Sequence, residues 1–283
     1  SDLIILAGRP AMGKTSLATN IAFNIANACK RHDNSQENEG GIVGFFSLEM
    51  STEQLATRII SEQIKVSSSD MRRGNISEEQ FTNIIYAMRS LQTIPLYIDQ
   101  TGGVSLAQLS ARARRLKRQH GLDVLIIDYI QLMTSGSKRS LENRVQEITA
   151  ITTGLKALAK ELNIPIIALS QLSRQVENRT DKRPQLSDLR ESGSIEQDAD
   201  IVLFVYREEY YLKNEEPKEG TSEYSKWQEA MEQAKGKAEV IIAKQRHGPT
   251  GIVSLAFQSD FTCFSDLEKE EQKNALKGAL NTL

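Results

Sequence analysis

Cysteine is scarce in this 283-residue sequence: only Cys29 and Cys263 occur, far apart and without C-x-x-C spacing. That excludes a disulfide framework and a cysteine-based zinc site, and it fits a reducing compartment. Long apolar runs are absent as well. No stretch approaches the roughly 20 residues that span a bilayer, and no signal-peptide pattern is present, so a cytoplasmic protein without membrane contact is expected. Charge of one sign is not in excess, the formal net being −2. A uniformly basic nucleic-acid-binding surface is thereby excluded, while a local basic groove or pore is not. The length allows one large α/β domain or two small ones, and no internal repeat is visible. Ser1-Asp2 leads straight into a strand pattern without an initiator Met, which reads as a domain cut from a longer protein.

What is present begins at Gly8-Arg-Pro-Ala-Met-Gly-Lys-Thr15, a G-x-x-x-x-G-K-[ST] pattern between the apolar run 3–6 and a helix-patterned segment. Gly8 and Gly13 let the backbone curl its N–H groups around an anion without Cβ clashes. Lys14 would reach the β- and γ-phosphates of a nucleotide, and Thr15 would offer its hydroxyl to Mg2+. The following helix would point its positive end at the same charge. The candidate nucleotide-binding set is thus Gly8, Arg9, Pro10, Ala11, Met12, Gly13, Lys14, Thr15 and Ser16. The alternative is a glycine turn carrying a solvated lysine.

Downstream, strand and helix patterns alternate. Residues 14–30 read as a helix with Leu17, Ile21, Ile25 and Ala28 on one face, 31–41 as loop and 42–47 as a buried strand. Helices are expected from Ser51 and over 77–91, the latter opened by a Ser77/Gln80 capping box. Residues 95–99 read as a short strand and 105–119 as a basic helix. Residues 124–128 form an apolar strand, 141–162 a helix with Ile148, Ile151, Leu155, Leu158 and Leu162 in phase, and 165–170 another strand. A long polar stretch, 172–194, has the length of a functional loop. After a strand at 201–206 comes a net acidic insertion, 207–236, holding the single Trp227 and expected as short helices or partly disordered. Residues 239–244 and 252–257 read as a hairpin, and the tail from Asp266 as a helix. This alternation predicts a mostly parallel sheet with helices on both faces.

In such sheets ligands sit at the carboxyl ends of the strands. Asp128 closes the most apolar strand and would hold Mg2+, directly or through water; Asp99 ends a similar but less central pattern. Glu49 closes the strand after the phosphate-loop helix, placed to polarise a water in line with the γ-phosphate or merely to face a helix start. Gln171 ends its strand at the same rim, where an amide would sense the γ-phosphate and move the loop beginning one residue later. It is otherwise a polar residue where a strand ends. The basic run Arg112 to Arg118 is a solvated face or a partner surface.

These features resemble the ATPase domain of the bacterial replicative DNA helicases, the hexameric DnaB family with a RecA-like fold. Seven blocks in order carry the resemblance. They are Leu3-Ile-Ile-Leu-Ala-Gly-Arg-Pro-Ala-Met-Gly-Lys-Thr15, Phe46-Ser-Leu-Glu-Met50, Ile127-Asp-Tyr-Ile-Gln-Leu132, Leu155-Lys-Ala-Leu-Ala-Lys-Glu-Leu162, Ala168-Leu-Ser-Gln-Leu-Ser-Arg174, Asp188-Leu-Arg-Glu-Ser-Gly-Ser-Ile-Glu-Gln-Asp198 and Lys244-Gln-Arg-His-Gly-Pro-Thr-Gly251. The resemblance implies a single RecA-like ATPase domain over 1–283, without the family's upstream collar domain and linker helix. It implies Glu49 as the catalytic carboxylate, Asp128 as the metal-linked acid and Gln171 as the phosphate sensor. Lys244 and Arg246 would be donated to a neighbouring subunit's γ-phosphate, and Arg190, Glu191 and Gly193 would line a channel against DNA. Read without it, Lys244 and Arg246 are a basic edge hairpin that discourages strand pairing. Two departures from the family pattern are His247, where Asn is expected in a tolerant turn, and Gly154, which costs about 1 kcal/mol inside a helix.

The function so implied is an ATP-dependent replicative helicase, a homo-hexamer moving 5′ to 3′ on single-stranded DNA, with a primase and a helicase loader as partners and ATP and Mg2+ as cofactors. Two other classes are weighed against it: a RecA-like recombinase or filament protein using ATP as a switch, and a phosphotransferase, for which no acceptor residues stand out.

Overall fold

The computed structural model describes residues 1–31, 40–134 and 144–267, with the side chains of residues 30, 31 and 190–194 left outside that description. Its strands are β1 (Leu3–Gly8), β2 (Val43–Ser47), β3 (Leu96–Asp99), β4 (Val124–Asp128), β5 (Ile166–Gln171), β6 (Ile201–Tyr206), β7 (Lys237–Gln245), β8 (Gly251–Gln258) and β9 (Cys263–Asp266). Among the described residues they form one sheet in the order β3-β2-β4-β5-β1-β6-β7-β8-β9. The first six run parallel, and β7, β8 and β9 continue antiparallel.

A parallel sheet must be covered on both faces, and the side-chain alternation of each strand divides accordingly. Along β1, Leu3, Ile5 and Ala7 enter one core and Leu6 the other; along β4, Leu125 and Ile127 take the first face and Ile126 the second. The first face is covered by α5 (Leu106–His120) and α6 (Arg144–Leu162), through Leu109, Ala113, Ile151, Leu155 and Leu158. The second is covered by α1 (Lys14–Arg31) and α2 (Thr52–Ile64). The expected face of α1 is rotated. Ala18, Ala22 and Ala26 are fully buried, whereas Ile21 and Ile25 only pack at the margin. Small residues bring this helix close to the sheet, which a search for large apolar side chains overlooks.

The helix starts are chemically explicit. Ser51 with Gln54, Ser77 with Gln80 and Ser105 with Gln108 form capping boxes ahead of α2, α4 (Glu78–Leu91) and α5, each satisfying two orphan backbone groups. A short α3 (Ser68–Arg73) joins α2 to α4. Gly154 has a packing reason: a Cβ there would lie 2.2 Å from Leu106 Cδ2, so a side chain at this contact of α6 with α5 would require Leu106 to shift. In the basic helix, Arg112 pairs with Asp99 and Arg114 with Glu161, in keeping with a solvated face.

The polar stretch after β5 is not an open loop. It carries 3-10 turns at Arg174–Asn178 and Leu186–Ser192 and then α7 (Gly193–Asp198), pinned by buried Leu172, Val176 and Leu189. The acidic insertion folds as α8 (Glu208–Asn214) and α9 (Ser222–Ala234), with the Trp227 indole donating to Leu212 O at 2.7 Å. The expected tail helix from Asp266 is overlapped at its first residue by β9, which ends at Asp266; its residues 268–283 lie outside the described residues, as do 32–39 of the expected loop and the 141–143 start of the expected helix. In a denaturant titration, Ile126→Ala, in a fully buried site on the interior strand β4, is expected to cost about 2–5 kcal/mol. Ile252→Ala, at the 57% exposed end of β8, should stay within about 0.5 kcal/mol.

Candidate nucleotide site

Because β1, β2, β4, β5 and β6 are parallel, their carboxyl ends share one edge, and a cavity of about 550 Å³ opens there. Lys14, Thr15, Glu49, Asp128 and Gln171 all line it. The sequence reading thus brings these five to one place. Register explains the proximity: Gly8 is level with Gln171, and Ser47 with Asp128, while Leu48 N–H donates to Asp128 O at 2.7 Å. Asp99, by contrast, ends the edge strand β3 and is held by Arg112 and Thr101.

The phosphate loop makes its turn at Ala11 (φ 64°) and Gly13 (φ 97°). Gly13 is doubly constrained, since a Cβ there would meet the Phe264 ring at 2.9 Å. Phe264 is set in place by Asn20, whose Oδ1 accepts its N–H at 2.7 Å and whose amide nitrogen donates to buried Glu62. Arg9 and Met12 do not face the cavity. The Arg9 guanidinium is buried, donating to Leu172 O at 2.9 Å and to Glu177 at 2.7 Å, so the phosphate loop is tied to the segment following β5. Met12 is buried in the second core.

Lys14 Nζ donates to Gly8 O at 2.8 Å and Arg9 O at 3.1 Å. Its burial pulls the ammonium pKa down to about 8, against the opposing pull of Asp128 and Glu49. Burial raises the Asp128 carboxyl above its ordinary range, a hydrogen bond with the Thr15 side chain opposes this, and nearby Glu49 adds to it. Asp128 Oδ2 is buried with no hydrogen-bond partner. An orphaned carboxylate oxygen beside a threonine hydroxyl fits a hard divalent cation, which keeps several waters and takes nucleotide oxygens as further ligands. No cluster of three His, Cys, Asp or Glu side chains suited to a metal occurs among the described residues.

Two arginines in the cavity escape the sequence reading. Arg58, on α2, lines it, with burial lowering its pKa while Asp128 and Glu49 raise it. Nothing in the helical pattern marks this residue. Arg207 is buried, stacks its guanidinium 3.9 Å from the Phe257 ring centroid and donates to Ala11 O at 3.3 Å. It follows directly on β6, so the strand-end rule that selects Asp128 and Gln171 would have found it.

Lys244 and Arg246 lie elsewhere. Strand β7 runs antiparallel to β6 and returns to the opposite edge, where Ile201 pairs with Gln245. Lys244 Nζ donates to Glu196 O at 2.6 Å and Ala199 O at 2.7 Å, and Arg246 pairs with Asp200 at 3.2 Å. β7 lies between β6 and β8, so the edge-hairpin reading does not apply. Arg190, Glu191 and Gly193 sit at the junction of the second 3-10 turn with α7; their side chains are outside the described residues.

Residues 1–266 match the model of the DnaB-like helicase C terminal domain. The chain is 52% identical over 269 residues to the replicative DNA helicase DnaB of Rickettsia typhi, covering 95% of this chain and 54% of that protein. It is 46% identical over 269 residues to the replicative DNA helicase DnaC of Bacillus subtilis, covering 95% and 53%. It therefore spans about half the length of the curated relatives it matches. Among solved structures, the ATPase domain of G40P superposes with a TM-score of 0.79 at 35% identity over 94% of this chain and 84% of that one. A DnaB-like replicative helicase studied with primase gives 0.76 at 35%, over 94% and 57%. With its seven motif blocks, its sheet order and its phosphate-loop cavity all pointing the same way, the chain belongs to the DnaB-like helicase C-terminal domain family.

Proposed function

We propose that this chain is the ATPase motor of a replicative DNA helicase, hydrolysing ATP between subunits of a homo-hexamer to move along single-stranded DNA and unwind duplex ahead of it. The observation that carries the reading is the split of the candidate machinery between opposite ends of the sheet. Lys14, Thr15, Glu49, Asp128 and Gln171 stand at one end, Lys244 and Arg246 at the other. Six residues of β6 at about 3.3 Å each put roughly 20 Å between them. Two cations that cannot reach their own cavity are suited to reach a neighbour's, and an arginine supplied in trans makes hydrolysis depend on assembly.

Within one cavity the backbone amides of the phosphate loop and Lys14 hold the triphosphate, and Thr15 and Asp128 would hold Mg2+, which when bound would supply neutralisation of the phosphate charge. Glu49 orients and deprotonates the attacking water. Gln171 senses the γ-phosphate and passes its loss to the segment Arg9 clamps, which leads to Arg190, Glu191 and Gly193 against the DNA backbone. Phosphate contacts of that kind make binding indifferent to sequence and sensitive to salt. Motion 5′ to 3′, a helicase loader and a cytoplasmic setting belong to the same reading, with family membership as their support. A primase partner is supported by the solved relative studied with primase. No helix among the described residues is long and apolar enough to cross a membrane.

Two measurements test this. Lys14→Ala and Arg246→Ala chains, each nearly inactive alone, should recover DNA-stimulated ATP hydrolysis when mixed, because some interfaces then pair an intact phosphate loop with an intact arginine. A mixture no more active than its components removes the cross-subunit assignment. Nucleotide affinity should also be pH-dependent. Phosphate contact restores the Lys14 pKa from about 8 toward the usual lysine range, so binding takes up a proton wherever the free site is deprotonated. Affinity should be flat below pH 8 and fall by up to about tenfold per unit above it, while Lys14→Arg should flatten the profile. Titration of a fluorescent nucleotide from pH 7 to 9.5 reads both.

A further inference from the structure

Asp200 is one of the few buried carboxylates among the described residues, at 2% exposure, and it sits in the turn between α7 and β6. One oxygen, Oδ2, accepts the Leu3 N–H at 2.8 Å and is held by the Lys156 ammonium. The other, Oδ1, faces Arg246 at 3.2 Å. The backbone repeats the connection: Asp200 N–H donates to Leu3 O at 3.0 Å and Arg246 N–H to Asp200 O at 2.9 Å. Arg246 itself is half exposed, with 51% of its side chain in solvent. A long flexible cation at the rim of a sheet is thus anchored at its root, and its charge is aimed by a carboxylate that has no freedom of its own.

That division is more than the fold requires. The Oδ2 contacts suffice to fix the start of β1 and to neutralise the buried charge, so the Oδ1 contact is left for Arg246. Lys244, two residues earlier, is fixed in the same way by the last carbonyls around α7. We propose that Asp200 is the positioning residue for Arg246, holding the guanidinium at the sheet edge in the direction from which it meets a nucleotide bound in the neighbouring subunit. This rests on the cross-subunit reading of Arg246 given above. The carboxylate does not line the nucleotide cavity; it lowers the conformational cost of placing the arginine, and misplacement of such a group by about 1 Å costs roughly 100-fold in rate.

The test uses steady-state ATP hydrolysis with single-stranded DNA in the intact protein, for Asp200→Asn, Lys156→Met, Arg246→Ala and the double variant Asp200→Asn with Arg246→Ala. Asp200→Asn keeps shape and an acceptor for Leu3 N–H but loses the charge, and should lower kcat roughly 10- to 100-fold with KM for ATP unchanged. Lys156→Met removes the other cation and should lower the melting temperature while leaving kcat at its parental value. The double variant should be no slower than Arg246→Ala alone, because both changes remove one interaction. If Arg246→Ala is slow but Asp200→Asn is not, or the two losses multiply, the positioning role is overturned and the cross-subunit reading stands. If Lys156→Met and Asp200→Asn lose kcat alike, Asp200 serves only to anchor β1 and the proposal again fails. If Arg246→Ala leaves kcat unchanged, both fall together.

Discussion

Everything in this molecule hangs on the direction of its strands. Six parallel strands place six carboxyl ends at one edge, and the hydrogen-bond register leaves Gly8 beside Gln171 and Ser47 beside Asp128. Residues far apart in sequence become neighbours through main-chain geometry alone, before any side chain has chosen a partner. The first of three antiparallel pairings, between β6 and β7, then sends Lys244 and Arg246 to the far edge. One topological rule and one exception to it therefore place two sets of polar and charged residues at opposite ends of the sheet, the arrangement on which the proposed cross-subunit site rests.

Charge follows the same division. At the cavity end, burial works against the ionised forms of Lys14, Arg58 and Asp128, lowering the pKa of the first two and raising that of the third. These groups are poised to be relieved by a polyanion with its cation, since each then finds the opposite charge it lacks. At the far end the ionised groups are already satisfied, Lys156 and Arg246 by Asp200 and Lys244 by carbonyls. The ligand-hungry end and the self-satisfied end are consistent with a receiver of nucleotide and a donor of cations.

Much of this was legible in the sequence, for definable reasons. Strands ending in a polar residue after a fully apolar run, as at Asp128 and Gln171, announce both a buried parallel strand and the edge where ligands gather. The capping boxes at Ser51 and Ser77 were equally plain. What stayed hidden depends on contacts between distant segments. Arg58 is one arginine on one helix, and only folding turns it toward Glu49. Arg207 opened a segment read as an insertion, which hid its place at the end of β6. The inner face of α1 was misjudged because alanines, not isoleucines, meet the sheet. Gly154 read as a local defect, and its reason is the leucine of another helix.

Strand β9 carries one more consequence. The outermost strand at a chain's carboxyl end is ordinarily the place where fusions and trimming are tolerated, because little depends on it. Here the Phe264 ring lies against Gly13, and its N–H is moored through Asn20 to Glu62 on α2. Strand β9 is thus a roof beam over the phosphate loop, set in the wall from both sides. A cut made just before Cys263, which on a topology diagram removes only an edge, would unroof the site at which the whole sheet converges.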